Sequence, residues 1–170
     1  DILINNLGGN VDTGGFFVDS DPELWEKDMD LNFGTVLRMT QPVLKGMVAR
    51  KRGSIVNVGS TAGLVGDYML PVYSAMKGAV HSFTKVLAKE VGQHNVRVNA
   101  IAPWATFSTS PDAYSSGSRF HPETGIFTKP VAHTTAEDNA IRQRRSFVGK
   151  PFATPEELAC VVALLASDRG

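Results

Sequence analysis

Short apolar runs alternate along this chain with longer stretches in which apolar residues recur every three or four positions. The short runs predict buried strands at Ile2–Asn5, Ser54–Val58 and Arg97–Ile101. The longer stretches predict helices. Ser20-x-x-Glu23, with Pro22 early in the turn, reads as a helix start. That helix is expected to reach about Val48, with Leu24, Leu31, Val36, Val43 and Met47 among its apolar positions. A second helix runs from Val72 to about Val91 and turns Ala79, Phe83, Val86 and Leu87 toward the core; Gly92 and Asn95 favour its end. Thr154-Pro155-Glu156-Glu157 is a capping box with proline at the first helical position, and opens a last helix through about Ala166. Strands alternating with helices in this way predict an α/β fold built on a parallel sheet.

Positions 109–150 break the pattern. They are rich in Ser, Pro, Gly and Thr at first, then polar and helical around Ala136–Arg145. A stretch this long without clear strands, inside a compact domain, is usually functional or disordered. At 170 residues the chain is expected to form a single domain. Seventeen basic residues balance seventeen acidic ones, so neither nucleic acid nor a membrane surface is expected as a partner. No apolar run is long enough to span a bilayer and no signal peptide precedes the first strand, which fits a cytoplasmic protein. Cys160 is the only cysteine, so it has no partner within the chain; its place in an apolar helical pattern predicts a small buried side chain. His81, His94, His121 and His133 show no metal-ligand spacing, and no metal site is expected. His121 and His133 are expected to be exposed loop residues.

The chemistry concentrates in Tyr73-Ser74-Ala75-Met76-Lys77 and in Ser60 of Gly59-Ser60-Thr61-Ala62-Gly63. Lys77 follows Tyr73 by four residues, which puts both side chains on one face of a helix. A free tyrosine, with a pKa near ~10, is a poor base at neutral pH. An ammonium close by favours the phenolate and brings the phenol toward the working range. Ser60 supplies a hydroxyl that can hold a substrate oxygen beside that phenol. The Tyr-x-x-x-Lys spacing alone also describes a surface Tyr and Lys on an amphipathic helix, so the surrounding motifs decide its meaning.

Those motifs come in a defined order: Asp1-Ile2-Leu3-Ile4-Asn5-Asn6-Leu7-Gly8, Leu31-Asn32-Phe33-Gly34, Gly53-Ser54-Ile55-Val56-Asn57-Val58-Gly59-Ser60, the Tyr/Lys pair, and Val96-Arg97-Val98-Asn99-Ala100-Ile101-Ala102-Pro103. The set strongly resembles the short-chain dehydrogenase/reductase family. The resemblance covers nearly the whole chain, including Pro155-Glu156-Glu157-Leu158-Ala159 and Leu165-Ala166-Ser167-Asp168. It implies a partial Rossmann-like doubly wound parallel sheet, a nicotinamide cofactor (NAD or NADP), and hydride transfer between a small alcohol and a ketone or aldehyde. By resemblance Tyr73 is the general acid/base, and Lys77 perturbs it and binds the nicotinamide ribose. Ser60, thirteen residues before Tyr73 as in the family, holds the substrate oxygen. Asn32 holds a water linking Lys77 to solvent. Asn6 lies near the adenosine half of the cofactor, and Thr106 and Ser108 near the nicotinamide carboxamide and phosphate. The stretch at 109–150 is the substrate lid, and the two long helices form the faces of a homo-dimer or homo-tetramer. Asn5 and Asn57 are expected to tie neighbouring strands together, and Asn99 to be a structural strand-end residue.

Three positions depart from the family pattern. Trp104 stands where glycine usually follows Pro103, and its indole has three options: to turn outward, to stack on a ligand, or to block the nicotinamide pocket. Leu7 replaces the usual alanine of Asn-Asn-Ala-Gly, and Gly59 replaces a common serine. The family's opening strand and glycine-rich phosphate-binding turn do not appear before Asp1, nor its last strand after Asp168; Gly8-Gly9 and Gly14-Gly15 lack the required spacing. The chain therefore reads as the central and C-terminal portion of the fold. The alternative to an oxidoreductase is a catalytically silent, truncated scaffold that binds no cofactor. A regulatory binder of the NmrA-like kind fits less well, because such proteins generally lose the tyrosine.

Overall fold

A computed structural model describes residues 1–10, 13–104, 106 and 153–170. Three parallel strands form the sheet: β1 (Ile2–Asn5), β2 (Gly53–Val58) and β3 (Val96–Ile101), in the order β1-β2-β3. Ile2 pairs with Ser54 and Asn5 with Asn57; Gly53 pairs with Val96 and Val58 with Ile101. Among the described residues the α-helices are α1 (Pro22–Met29), α2 (Thr35–Arg50), α3 (Ala62–Val65), α4 (Pro71–Val91) and α5 (Pro155–Ala166). Among the described residues, no helix is long and apolar enough to cross a membrane. The strand and helix positions agree with the hydrophobic pattern. Ser108, His121 and His133, together with the stretch at 109–150, lie outside the described residues.

Successive strand residues face opposite sides of the sheet, and register partners face the same side. Ile55 and Asn57 face α2 and α4. There Met47, Ile55, Leu87, Val91, Val96 and Val98 form the buried core. Asn5 Nδ2 donates to Asn57 Oδ1 at 2.8 Å and to Thr40 Oγ1 at 3.0 Å, and Asn57 Nδ2 donates to Thr84 Oγ1 at 2.9 Å. The two asparagines thus tie β1 to β2 and both to the helices, as their motif positions led us to expect. Ser54 and Val56 face α5. Ser54 Oγ donates to Leu165 O at 2.9 Å, and the Arg97 guanidinium donates to Leu165 O and Ser167 O at 2.8 and 2.6 Å. Ile2 and Ile4 share this second face, and both are exposed.

Four expectations need correction. The cap of α1 is Asp21, not Ser20: Asp21 Oδ1 accepts from Glu23 N at 2.9 Å. Pro22 occupies the first helical turn, so the cap falls directly before it; Ser20 Oγ instead accepts from Trp25 Nε1 and donates to Phe17 O. The single long helix is divided, since Asp30–Gly34 widens into a π turn between α1 and α2. Val86 is exposed, because it falls off the buried stripe of Val80, Thr84, Leu87 and Val91. Cys160 is exposed as well. The main-chain oxygens at the C-terminal end of α5 are fastened to Ser54 and Arg97, while no residue of the helix is buried. Its capping box is as expected: Glu157 N donates to Thr154 Oγ1, and Thr154 N donates to Glu157 Oε2.

Candidate active site

Helix α4 begins at Pro71, whose fixed φ suits a first helical position. Tyr73 and Lys77 follow one turn apart. Lys77 Nζ lies 5.7 Å from the centroid of the Tyr73 ring and donates to Val58 O at 3.0 Å. The ammonium therefore joins the tyrosine to the carboxyl end of β2, where open α/β sheets collect ligands. Ser60 stands two residues beyond that end.

Lys77 is only 4% exposed. Burial lowers its pKa to about 8, and the negative charge of Asp28 works in the opposite direction. Asp28 is a buried carboxylate that reading the sequence missed. It lies one helical turn before Asn32, a spacing that could have revealed it. Asn32 Nδ2 donates to Asp28 Oδ1 at 2.6 Å, to Asp28 O at 3.0 Å and to Gly9 O at 2.7 Å. Asn32 Oδ1 accepts from Gly9 N at 3.0 Å. The Thr13 hydroxyl donates to the other Asp28 oxygen. The π turn carries Asn32 inward to reach these partners, an arrangement often found at functional sites.

Gly8 shows how tightly the loop after β1 closes on this cluster. A Cβ at Gly8 would stand 2.8 Å from both Asn32 Oδ1 and Lys77 Nζ, so a larger residue would have to push these side-chain ends aside and hold a strained φ of 156°. Leu7 and Asn6, just before it, are exposed; both border a cavity of about 260 Å³ between β1 and α2.

Ser60 is held by its own main chain. Its carbonyl accepts from Gly63 N at 3.0 Å and lies 2.9 Å from His81 Nε2. Gly59 N donates to Ile101 O and Thr61 N to Pro103 O, which clamps the turn to the end of β3. Ser60 Oγ accepts from Ala62 N at 3.1 Å, leaving the hydroxyl proton to be donated elsewhere. Thr106, a sequence-predicted site residue, forms an isolated bridge with Ala153 and donates its hydroxyl to Trp104 O at 3.2 Å. Trp104 is 62% exposed.

The structure thus gathers Tyr73, Lys77 and Asn32 around the end of β2, with Ser60 on the turn that follows. Asn6 directly follows β1, whereas Thr106 lies beyond the end of β3 in its bridge with Ala153. Among the described residues, no group of three or more His, Cys, Asp or Glu side chains could hold a metal ion.

The sequence pattern described as short chain dehydrogenase matches residues 1–115. The chain belongs to the short-chain dehydrogenase family. It is 34% identical over 167 residues to 2-(S)-hydroxypropyl-CoM dehydrogenase 3 of Xanthobacter autotrophicus, covering 98% of this chain and 59% of that protein. Against the 3-oxoacyl-(acyl-carrier-protein) reductase FabG of Thermotoga maritima it is 32% identical over 168 residues, covering 99% of this chain and 59% of the relative. A crystal structure of a 3-oxoacyl-(acyl-carrier protein) reductase from Brucella melitensis matches with a TM-score of 0.74 at 28% identity, over 99% of this chain and 57% of that one. The chain spans about 60% of the length of these short-chain dehydrogenase relatives. Its parallel sheet flanked by helices is a partial Rossmann-like sheet.

Proposed function

We propose that this chain carries the reacting part of an NAD(P)-dependent oxidoreductase that interconverts a small alcohol and a ketone or aldehyde, with Tyr73 as acid/base. One observation carries the reading: a buried ammonium, Lys77, bridges the Tyr73 ring and the carboxyl end of the strand that leads to Ser60. The residues fit a nicotinamide ribose, because Lys77 keeps two of its three N–H groups beyond the bond to Val58 O. When bound, the nicotinamide supplies or accepts the hydride. Tyr73 Oη gives its proton to the substrate oxygen during reduction and takes it back during oxidation. With a pKa of about 8, Lys77 is mostly charged at neutral pH and stabilises negative charge on the phenol oxygen.

Ser60 donates its hydroxyl proton to the same substrate oxygen. Asn32 Oδ1 retains a lone pair beyond its bond to Gly9, to which a water linked to Lys77 would attach. Asn6, Thr106 and Ser108 complete the cofactor contacts. The stretch at 109–150 acts as the substrate lid of a single domain. A homo-dimer or homo-tetramer in the cytoplasm belongs to the same reading. The oligomer would form through α2 and α4, which carry a groove of about 390 Å³ lined by Leu37, Leu44, Phe83 and Leu87 among others.

The test is Tyr73→Phe in the full-length protein. Turnover should fall by about a hundredfold to ten-thousandfold, the range of general acid–base contributions, while binding of NADH or NADPH by calorimetry persists. Near-normal turnover would mean that another group moves the proton. Failure of the unmodified full-length protein to bind either cofactor would favour the silent scaffold.

A further inference from the structure

His81 has no part in the chemistry proposed above, yet it is 8% exposed and points at the main chain of Ser60. Its Nε2 lies 2.9 Å from the Ser60 carbonyl oxygen and 3.4 Å from the Ser60 amide nitrogen. One ring nitrogen cannot donate to the carbonyl and accept from the amide with the same proton state. The shorter contact decides for the tautomer in which Nε2–H donates to the carbonyl. That carbonyl also accepts from Gly63 N, so both of its lone pairs are engaged.

Gly59 makes room for this contact. A Cβ on Gly59 would fall 2.3 Å from His81 Cε1 and 2.6 Å from Nε2. The imidazole occupies the space a side chain at position 59 would take. His81 also completes a row on α4: Tyr73, Lys77 and His81 follow at intervals of four, then Thr84 three further on. Each of the last three bonds the β2 segment, Lys77 at Val58, His81 at Ser60 and Thr84 at Asn57.

We infer that His81 is a positioning residue: its ring, seated in the gap left by Gly59, fixes the Ser60 peptide and through it aims the Ser60 hydroxyl at the substrate oxygen. The inference rests on the assignment of Ser60 to the active site. Small displacements of an oriented group lower turnover strongly, whereas contacts to cofactor are made elsewhere. The bond that matters is a single N–H donated to a carbonyl, which a glutamine amide can also supply.

The test uses the full-length protein, with kcat, substrate KM and cofactor Kd measured for His81→Leu, His81→Gln, Ser60→Ala and the double variant Ser60→Ala/His81→Leu. His81→Leu should lower kcat about tenfold to a hundredfold with cofactor Kd unchanged. His81→Gln should recover most of that loss. In the Ser60→Ala background, His81→Leu should change kcat by less than about twofold, because the group it aims is gone. An undiminished loss in that background, or wild-type kcat in His81→Leu, overturns the inference. Ser60→Ala with wild-type turnover would bring down the site assignment itself, a different result.

Should His81→Leu fail to fold, Gly59→Ala provides a second route. Its Cβ should displace the ring and lower kcat in the same range, and His81→Ala/Gly59→Ala should melt higher than Gly59→Ala alone. Gly59→Ala with wild-type kcat and melting temperature would show that the ring does not occupy that gap, and would overturn the inference.

Discussion

Helices α4 and α5 contradict their compositions. The second of them, Pro155–Ala166, is mostly apolar after its first turn, yet it buries no residue, and Val161, Leu164 and Cys160 are exposed. Helix α4 mixes Lys, His, Thr and Ser with its apolar residues and buries seven, including Lys77, His81 and Thr84. The difference lies in what each helix faces. Helix α4 meets the sheet, α3 and the π turn together. The buried polar side chains of its inner row each find a partner on the β2 segment, so burial does not leave them unsatisfied. Helix α5 meets the central strand β2 on the opposite face, and its polar fastenings run through its C-terminal carbonyls to Ser54 and Arg97. Hydrophobicity proposes a buried face, but the available partner surface decides which face is buried.

This contrast can be broken most severely at Gly63. A Cβ there would stand 2.4 Å from the Lys77 carbonyl carbon and 2.5 Å from Gly78 N, both main-chain atoms of α4 that cannot rotate away. Gly63→Ala should cost about 3 kcal/mol of stability, the upper range for overpacking, as measured by denaturant unfolding. A neutral result would mean that α3 and α4 can separate freely.

The next effect is at the polar link between α4 and the sheet. Asn57→Ala removes the acceptor of Asn5 and the donor to Thr84 inside the structure. A loss of about 1–3 kcal/mol is expected from groups left without partners, read from the same unfolding curves. Little change would indicate that Asn5 and Thr84 re-pair on their own.

Lys77 gives a pH-dependent test. Its folded pKa of about 8 lies below the ordinary lysine value, so between that pH and the unfolded value the unfolded chain binds more protons. Stability from this group should therefore rise as pH increases through that window, and be unaffected by pH well below it. The melting temperature of the wild type, compared with Lys77→Met, should climb from pH 8 upward. Parallel curves for the two proteins would show that Lys77 is not held in a desolvated site.

The smallest effect is expected on α5. Leu164 is 52% exposed, so Leu164→Gln should change stability by no more than about 0.5 kcal/mol despite its place in an apolar run. A loss as large as that of Asn57→Ala would mean that this face of α5 is covered in solution.

The three strands, the span of α4 from about Val72 to Val91, its end at Gly92 and Asn95 and the capping box of α5 were legible in the sequence, because each depends on residues near one another in the chain. So was the Tyr73–Lys77 pair, since a four-residue interval on a helix fixes a shared face without knowledge of any neighbour. The buried states of Asp28 and His81 were not legible. A lone acidic or histidine side chain is polar in sequence, and it is the tertiary partners, Asn32 and Thr13 at Asp28 and the turn at Gly59 against His81, that accompany their burial. The exposure of Cys160 and Val86 also escaped, because periodicity assigns a residue to a helix face but not to a partner. Local pattern alone determined which segments become strands and helices and where the Tyr73–Lys77 pair sits. Long-range packing decided which polar groups lost water and gained partners, since desolvation depends on surfaces brought together from distant parts of the chain.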